Sequence, residues 1–299
     1  MKLFPLLLLP LLGTLTITTA AQDLEPKAYS RAPVGTKFVL VSYGHQSGDV
    51  LLDSSLPLRD VSVSLNSLAI GYGQVFALAK RQASVAAVVP YVRGNAKGTL
   101  FEEQRTAERS GTADLRARFA INLIGSPALT PREFAKYKAG TVLGASLTMI
   151  VPTGQYDPNR LVNLGSNRWS FKPEIGLARA YGRWILEADG GVWLFTENRN
   201  FFGGVRRRQK PLTSLQGHII YNLKPRMWVA FDATYYRGGR TIVNDVTNAD
   251  LQKNSRIGAT FSMPLSRHHS LKMAYAKGVT TRVGGDLTTL AVAWQYTWF

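Results

Sequence analysis

The sequence predicts an all-β protein, a transmembrane antiparallel up-and-down β-barrel of about twelve strands. Three observations carry that prediction. Apolar and polar residues alternate with period two over segments of ten or more residues, the connections alternate between short turns and longer polar loops, and an export signal precedes a chain without cysteine.

The 299 residues carry 36 Lys and Arg against 19 Asp and Glu, a net charge of +17, and 45% are hydrophobic. That hydrophobic content excludes a disordered chain. The lack of cysteine removes disulfides, thiolate metal sites and cysteine nucleophiles. The basic excess admits two kinds of partner, nucleic acid or a membrane headgroup region, which differ in where the charges fall.

Taken in order, Met1-Lys2, an apolar run over 3–12 and the small-residue tail Thr18-Thr19-Ala20-Ala21 read as a secretory signal peptide over 1–21. Cleavage after Ala21 is the first choice and after Ala20 the second. The run falls short of the ~20 residues a membrane-crossing helix needs, and no later stretch reaches that length. Residues 22–37 form a polar segment, expected to be periplasmic, and 38–299 form the barrel. Convincing helical periodicity is absent. The expected strands are 38–48, 61–78, 83–96, 111–124, 140–151, 169–180, 184–196, 211–222, 227–236, 254–264, 270–281 and 286–299.

Two strands show the alternation best. Leu115, Ala117, Phe119, Ile121 and Leu123 alternate with Arg116, Arg118, Ala120 and Asn122, and Trp184, Leu186, Ala188, Val192 and Leu194 with Glu187, Asp189 and Gly191. Each such segment meets the ~9–11 residues of a tilted spanning strand. Turns at 79–82, 181–183, 223–226 and 265–269 alternate with loops at 49–60, 97–110, 152–168, 197–210 and 237–253; the connection 125–139 is long on the short side. Aromatic girdles are expected from Trp184, Trp228 and Trp298 at one end and Trp169, Trp193, Phe195, Tyr235 and Tyr236 at the other. Pro90 and Pro173 fall inside strands and predict bulges or local openings. Phe299 is out of phase with Trp294, Tyr296 and Trp298, so the last strand ends at Trp298 or carries a bulge.

Several segments together resemble one family: Gly48 to Leu58 (GDVLLDSSLPL), Val89 to Gly94 (VPYVRG), Val151 to Asp157 (VPTGQYD), Asn163 to Trp169 (NLGSNRW) and Gly191 to Phe195 (GVWLF). They are similar to the MetA-pathway of phenol degradation family, bacterial outer-membrane barrels found near catabolic genes and regarded as transporters. The resemblance runs from about residue 38 to the C-terminus. It implies a barrel, a Gram-negative outer-membrane location and transport, and supplies no functional residue.

Phosphate-binding, dinucleotide-binding, HExxH and GxSxG motifs are missing. His45-Gln46-Ser47-Gly48 resembles the His-x-Ser segment of the outer-membrane phospholipase, where the His is the base and the Ser the nucleophile. Here His45 and Ser47 share the outward face with Val39, Val41 and Tyr43, but the following Asn-Gly is broken and no orienting Asn is evident. His268-His269 reads as a solvated turn, and Asp245, Asn248 and Asp250 match no Ca²⁺ loop. No cofactor or metal is expected.

The alternation turns Arg116, Arg118, Lys172, Glu174, Glu187, Asp189, Asp232, Arg256 and Lys272 to the lumen. They are the candidates for a pore lining, or for cross-links that close it. Arg206-Arg207-Arg208 with Lys210 is the densest basic cluster, in a long loop, and is the candidate for lipopolysaccharide phosphates. The short turns hold Lys80, Arg81, Arg132, Lys136, Lys138, Arg183, Lys224, Arg226 and Arg267 against Glu133, nearly half of the +17. This makes a basic ring facing anionic headgroups rather than a nucleic-acid stripe. The expected partners are therefore membrane lipid, lipopolysaccharide, the outer-membrane insertion machinery and a small-molecule permeant, with no nucleic acid. The expected function is a channel for small solutes such as aromatic or hydrophobic acids; the alternatives are a lipid hydrolase using His45 and Ser47 and a structural barrel with a closed lumen.

Overall fold

The computed structural model describes residues 24–52, 58–100, 102–138 and 140–299, so the expected signal peptide at 1–21 lies outside the described residues. In chain order the first strands are β1 (Lys37–Leu51), β2 (Leu58–Leu78), β3 (Arg81–Leu100), β4 (Glu103–Thr112), β5 (Leu115–Ile124), β6 (Thr141–Val151), β7 (Ser170–Tyr181) and β8 (Trp184–Phe195). They are followed by β9 (Asn198–Phe201), β10 (Val205–Gln209), β11 (Leu212–Lys224), β12 (Met227–Gly238), β13 (Thr241–Val243), β14 (Val246–Thr247), β15 (Gln252–Pro264), β16 (His269–Thr280) and β17 (Gly284–Trp298).

Twelve of these make the wall, in the antiparallel order β2-β1-β17-β16-β15-β12-β11-β8-β7-β6-β5-β3, and the pairing of β2 with β3 closes it. The first and last strands join in register from Lys37 opposite Trp298 to Leu51 opposite Gly284. A closed sheet leaves no unpaired edge, which is what allows strands to cross lipid. Among the described residues no helix is long and apolar enough to cross a membrane; the crossing elements are strands.

The side-chain distribution is the reverse of a water-soluble sandwich. Ile70, Ile175 and Phe231 are 59%, 61% and 53% exposed, while Asp232, next to Phe231, is fully buried. Leaving so many large apolar side chains outside is favourable only against lipid, since each forgoes about 1.5–3 kcal/mol if it faces water. The turns suit tight hairpins: Ala79 and Lys80 both have positive φ, as a two-residue type I′ connection requires. The long connection 125–140 carries a one-turn helix, α1 (Pro131–Phe134), capped reciprocally by Thr130 and Glu133.

Three departures from the expected pattern, and the opening expected at Pro173, have local causes. The strand expected over 111–124 is broken, because β4 pairs with the upper part of β3 and β5 with the lower part, as far as Val88 opposite Arg116. Pro90 sits just beyond that switch and its carbonyl accepts from the Ala113 amide. Pro173 interrupts the β7–β8 ladder between Phe171/Leu194 and Glu174/Gly191. The loops 197–210 and 237–253 contain β9, β10, β13 and β14, a separate four-stranded sheet at the long-loop end. The girdles are thinner than expected: Trp193, Trp228 and Tyr236 are buried in the barrel and Phe195 lines its cavity, because strand parity turns them inward. Trp169 and Trp184 face outward, and β17 ends at Trp298, leaving Phe299 outside the ladder.

Candidate functional site

Inward positions divide the lumen into two unlike walls. From β5 through β8, β11, β12 and β15 the wall is charged. Across from it, β1, β2, β3, β16 and β17 present mostly small and apolar groups such as Leu40, Ala69, Ala86, Val88, Ala274 and Ala291, with Lys272 on β16 an exception. A cavity of about 1530 Å³ lies between, bordered by Arg226 and Arg267 at the short-turn end and by Arg207 and Asp250 at the long-loop end.

All nine candidate pore residues occupy inward strand positions, but they do not share one role. Arg116, Arg118, Arg256 and Lys272 border the cavity. Lys172, Glu174, Glu187, Asp189 and Asp232 are buried in the wall and are not on an open path. Lys172 Nζ lies 2.7 Å from Glu174 Oε2. His218 Nδ1 is 2.7 Å from Asp232 Oδ1 and its Nε2 is 3.6 Å from Asp189 Oδ2. Thr260 donates to the other Asp232 oxygen at 2.8 Å, and Arg256 donates to the Leu287 carbonyl at 3.0 Å. Charges buried at this depth persist only when paired and hydrogen-bonded, so this wall is cross-linked packing.

The segment before β1, expected as a periplasmic extension, turns back from Lys37 and runs inside the barrel. Gly144 and Gly176 are register partners on the inner faces of β6 and β7. A Cβ on either would overlap the Tyr29 ring, so the two glycines form the notch that receives it. The Tyr29 hydroxyl is 3.1 Å from Ser146 Oγ, and the Arg118 guanidinium sits 5.1 Å over its ring. Glu25 pairs with Arg116 and Arg118. The Lys27 amide donates to Glu187 at 2.7 Å, and its ammonium bonds Asn222 and sits 4.8 Å over Trp228. Burial lowers the Lys27 pKa to about 8, against the opposing pull of Glu187, and burial raises that of Tyr29. This mixed-charge wall thus has a partner in the chain's own N-terminal segment.

At the long-loop end the basic cluster is split by strand parity. Arg206 and Arg208 point outward and pair with Asp245, Arg206 also with Glu197 at 3.0 Å. Arg207 is buried and turned inward, with its guanidinium 5.1 Å over Phe201, so it does not share the surface expected to meet lipopolysaccharide. Lys210 follows β10, its amide bonded to the Arg240 carbonyl. Gln209 faces inward with Arg207 and accepts from Arg168, whose guanidinium lies 4.5 Å over Phe195. Burial, with Arg207 beside it, lowers the Arg168 pKa well below the ordinary arginine value.

His45 and Ser47 face outward on β1, as parity requires. Asn66, directly opposite on β2, places Oδ1 3.0 Å from His45 Nδ1. The same oxygen also accepts from the Tyr43 hydroxyl at 2.7 Å, and no hydrogen bond joins Ser47 to His45 among the described residues. Asp250 is occupied by the Thr241 amide and hydroxyl and Asp245 by arginines.

Sequence reasoning missed four features: His218, Asn66, Arg168 and the inserted segment. Parity alone turns His218 inward with Ser214 and Gln216, and register would have matched Asn66 to His45. Arg168 lies in a loop without period, and its burial depends on a sheet made from two other loops.

The family described as "Putative MetA-pathway of phenol degradation" matches residues 52–294. The COG4313 outer membrane channel from Pseudomonas putida F1 superposes with a TM-score of 0.79 at 19% identity, covering 92% of this chain and all of that one. The transport unit of the Escherichia coli autotransporter AIDA-I superposes at 0.52 and 9% identity, covering 93% of each chain. The translocator domain of NalP from Neisseria meningitidis does so at 0.50 and 9%, covering 89% and 90%. At such identities the likeness establishes the outer-membrane barrel fold. No curated protein matches the chain.

Proposed function

The chain belongs to the MetA-pathway of phenol degradation family, and we propose that it is an outer-membrane channel that passes small solutes, aromatic or hydrophobic acids among them, through its lumen. The observation that supports this most is the cavity of about 1530 Å³, which borders both barrel ends. The path runs between the inserted segment and the apolar half of the wall. Arg116, Arg118, Arg256 and Lys272 give it a cationic bias that favours anions. The short-turn end, with its basic ring, faces the periplasm, and Arg206 and Arg208 lie at the cell exterior beside lipopolysaccharide.

Purified protein in planar bilayers and proteoliposomes tests the proposal. Uptake of benzoate above that of empty vesicles supports it; no conductance and no uptake of any small solute defeats it and favours the closed structural barrel. The His45–Asn66 bond favours a second reading, the lipid hydrolase. It is weaker because Tyr43 competes for Asn66, and it falls if Ser47→Ala leaves any phospholipid hydrolysis unchanged.

A further inference from the structure

On the outside of the wall, the outward positions change from apolar to basic within a few residues of the long-loop edge. On β12 they run Val229, Phe231, Ala233, Tyr235 and then Arg237. On β15, read towards the same edge, they run Phe261, Ala259, Ile257, Ser255 and then Lys253. An outward tyrosine marks the rim of the lipid-facing band, so Arg237 and Lys253 stand just beyond it, at the level of the headgroups.

These two cations are register partners across β12 and β15, and Thr213 on β11 lies on the other side of Arg237. Both are exposed. Among the described residues neither side chain has a hydrogen bond or an ion pair. Like charges directly opposite one another on a ladder, with Cβ atoms about 5 Å apart, destabilise the pairing. No acid of the chain relieves them. The strands β11, β12 and β15 carry one carboxylate, Asp232, which is buried on the inner face. The loop from β12 to β15 carries Asp245 and Asp250, of which the first is taken by Arg206 and Arg208 and the second by Thr241.

The same order recurs along this side of the barrel. Arg93 follows Tyr91 by two residues on β3, and Lys277 follows Tyr275 by two on β16, all four exposed on the outer face. Arg93 and Lys277 likewise have no ion pair among the described residues. A phosphate answers this arrangement, since the guanidinium fork and the ammonium can share its oxygens and its charge turns their repulsion into a clamp. The apolar positions directly below require that the phosphate be carried by a lipid, and in the outer leaflet that lipid is lipopolysaccharide.

We propose that Arg237 and Lys253 clamp a phosphate of lipid A, whose acyl chains lie along the outward Phe231 and Ile257, and that Arg93 and Lys277 continue this phosphate-binding belt round the barrel. The belt requires the long loops to face the cell exterior and does not depend on passage of solute through the lumen. The exposed Arg206 and Arg208, by contrast, already have Glu197 and Asp245.

Titration of the full mature chain in detergent, followed by native mass spectrometry and thermal melting, separates the outcomes. The probes are lipid A with both phosphates, lipid A stripped of phosphate, phosphatidylglycerol and inorganic phosphate. Wild-type protein is expected to bind phosphorylated lipid A at least about tenfold more tightly than any other probe, the scale of a charge-assisted hydrogen bond, and to melt at a higher temperature with it bound. The double variant Arg237→Gln with Lys253→Gln is expected to lose that preference while binding of the stripped lipid is unchanged. Lys253→Glu, which gives Arg237 an acid within the wall, is expected to lose it as well. The double variant Arg206→Gln with Arg208→Gln is expected to keep it. Equal binding of the phosphorylated and stripped lipids, or a preference that survives in the first two variants, would overturn the clamp. Phosphatidylglycerol bound as tightly as lipid A would reduce it to general attraction for anionic lipid, and inorganic phosphate bound as tightly would make it a free-anion site; either result would overturn the assignment to lipid A.

Discussion

Replacing Tyr29 with alanine should release the N-terminal segment from the lumen and widen the path beside it. The ring is 4% exposed, seated between Gly144 and Gly176, under Arg118 at 5.1 Å and bonded to Ser146 at 3.1 Å. Removing a buried aromatic of this kind costs about 3–5 kcal/mol, which is roughly two to four orders of magnitude in the equilibrium between seated and released segment. The wall pairs strand to strand without the segment, so the barrel itself should survive. Single-channel recording should show larger or more frequent openings for Tyr29→Ala, and limited trypsin digestion should reach Lys27 and Arg31 faster. Gly176→Val fills the notch from the other side and should give the same two changes. Unchanged conductance and unchanged protection in both variants would refute the idea that the glycine notch holds the segment.

Further expectations follow from the same packing. Lys172→Met leaves the buried Glu174 carboxylate without its 2.7 Å partner and should lower stability by about 3–5 kcal/mol; the double variant with Glu174→Leu should recover most of that loss in a thermal melt. His218→Leu strands Asp232 and Asp189 and should destabilise the barrel by about 2–4 kcal/mol, with much less loss when Asp232→Asn is added. Seating of the segment should depend on pH. Lys27 is lowered from 10.5 to about 8, so the released segment binds more protons between those values and seating strengthens as pH rises through them. Tyr29 is raised above its ordinary 10.0, so seating weakens again above that pH. Protection from trypsin should therefore be greater at pH 9.5 than at pH 7.5, after correction for the enzyme's own pH dependence, and a flat profile would contradict this assignment.

The barrel wall was legible in the sequence because lipid on one side and a packed lumen on the other impose a period of two on every strand. Leu186, Ala188 and Leu194 could not exchange faces with Glu187 and Asp189 without burying charge in lipid. The contents of the lumen were not legible. Residues 24–36 have no period, and their place is set by matches to distant strands: Glu25 to β5, Lys27 to β8 and β11, Tyr29 to the Gly144/Gly176 pair. The inward charges were found by parity, but parity cannot tell a charge buried in the wall from one that borders the cavity, so Lys172 and Lys272 looked alike. The Arg206 to Lys210 cluster looked uniform for the same kind of reason. Only the strand formed by those residues separates Arg207 from its neighbours, and an arginine run shows no apolar alternation to betray a strand.

The central claim is that solute crosses through the lumen along the apolar wall, and the absence of native cysteine makes a direct measurement simple. Ser42 lines the cavity on β1, and its neighbour Val41 pairs with the outward-facing Ile70 and Trp294. Benzoate flux into proteoliposomes holding Ser42→Cys or Val41→Cys would be followed before and after a water-soluble thiol reagent. Modification is predicted to block flux through Ser42→Cys and leave Val41→Cys unaffected. Flux that survives modification of Ser42→Cys, or that falls equally in both, would contradict a path through the lumen.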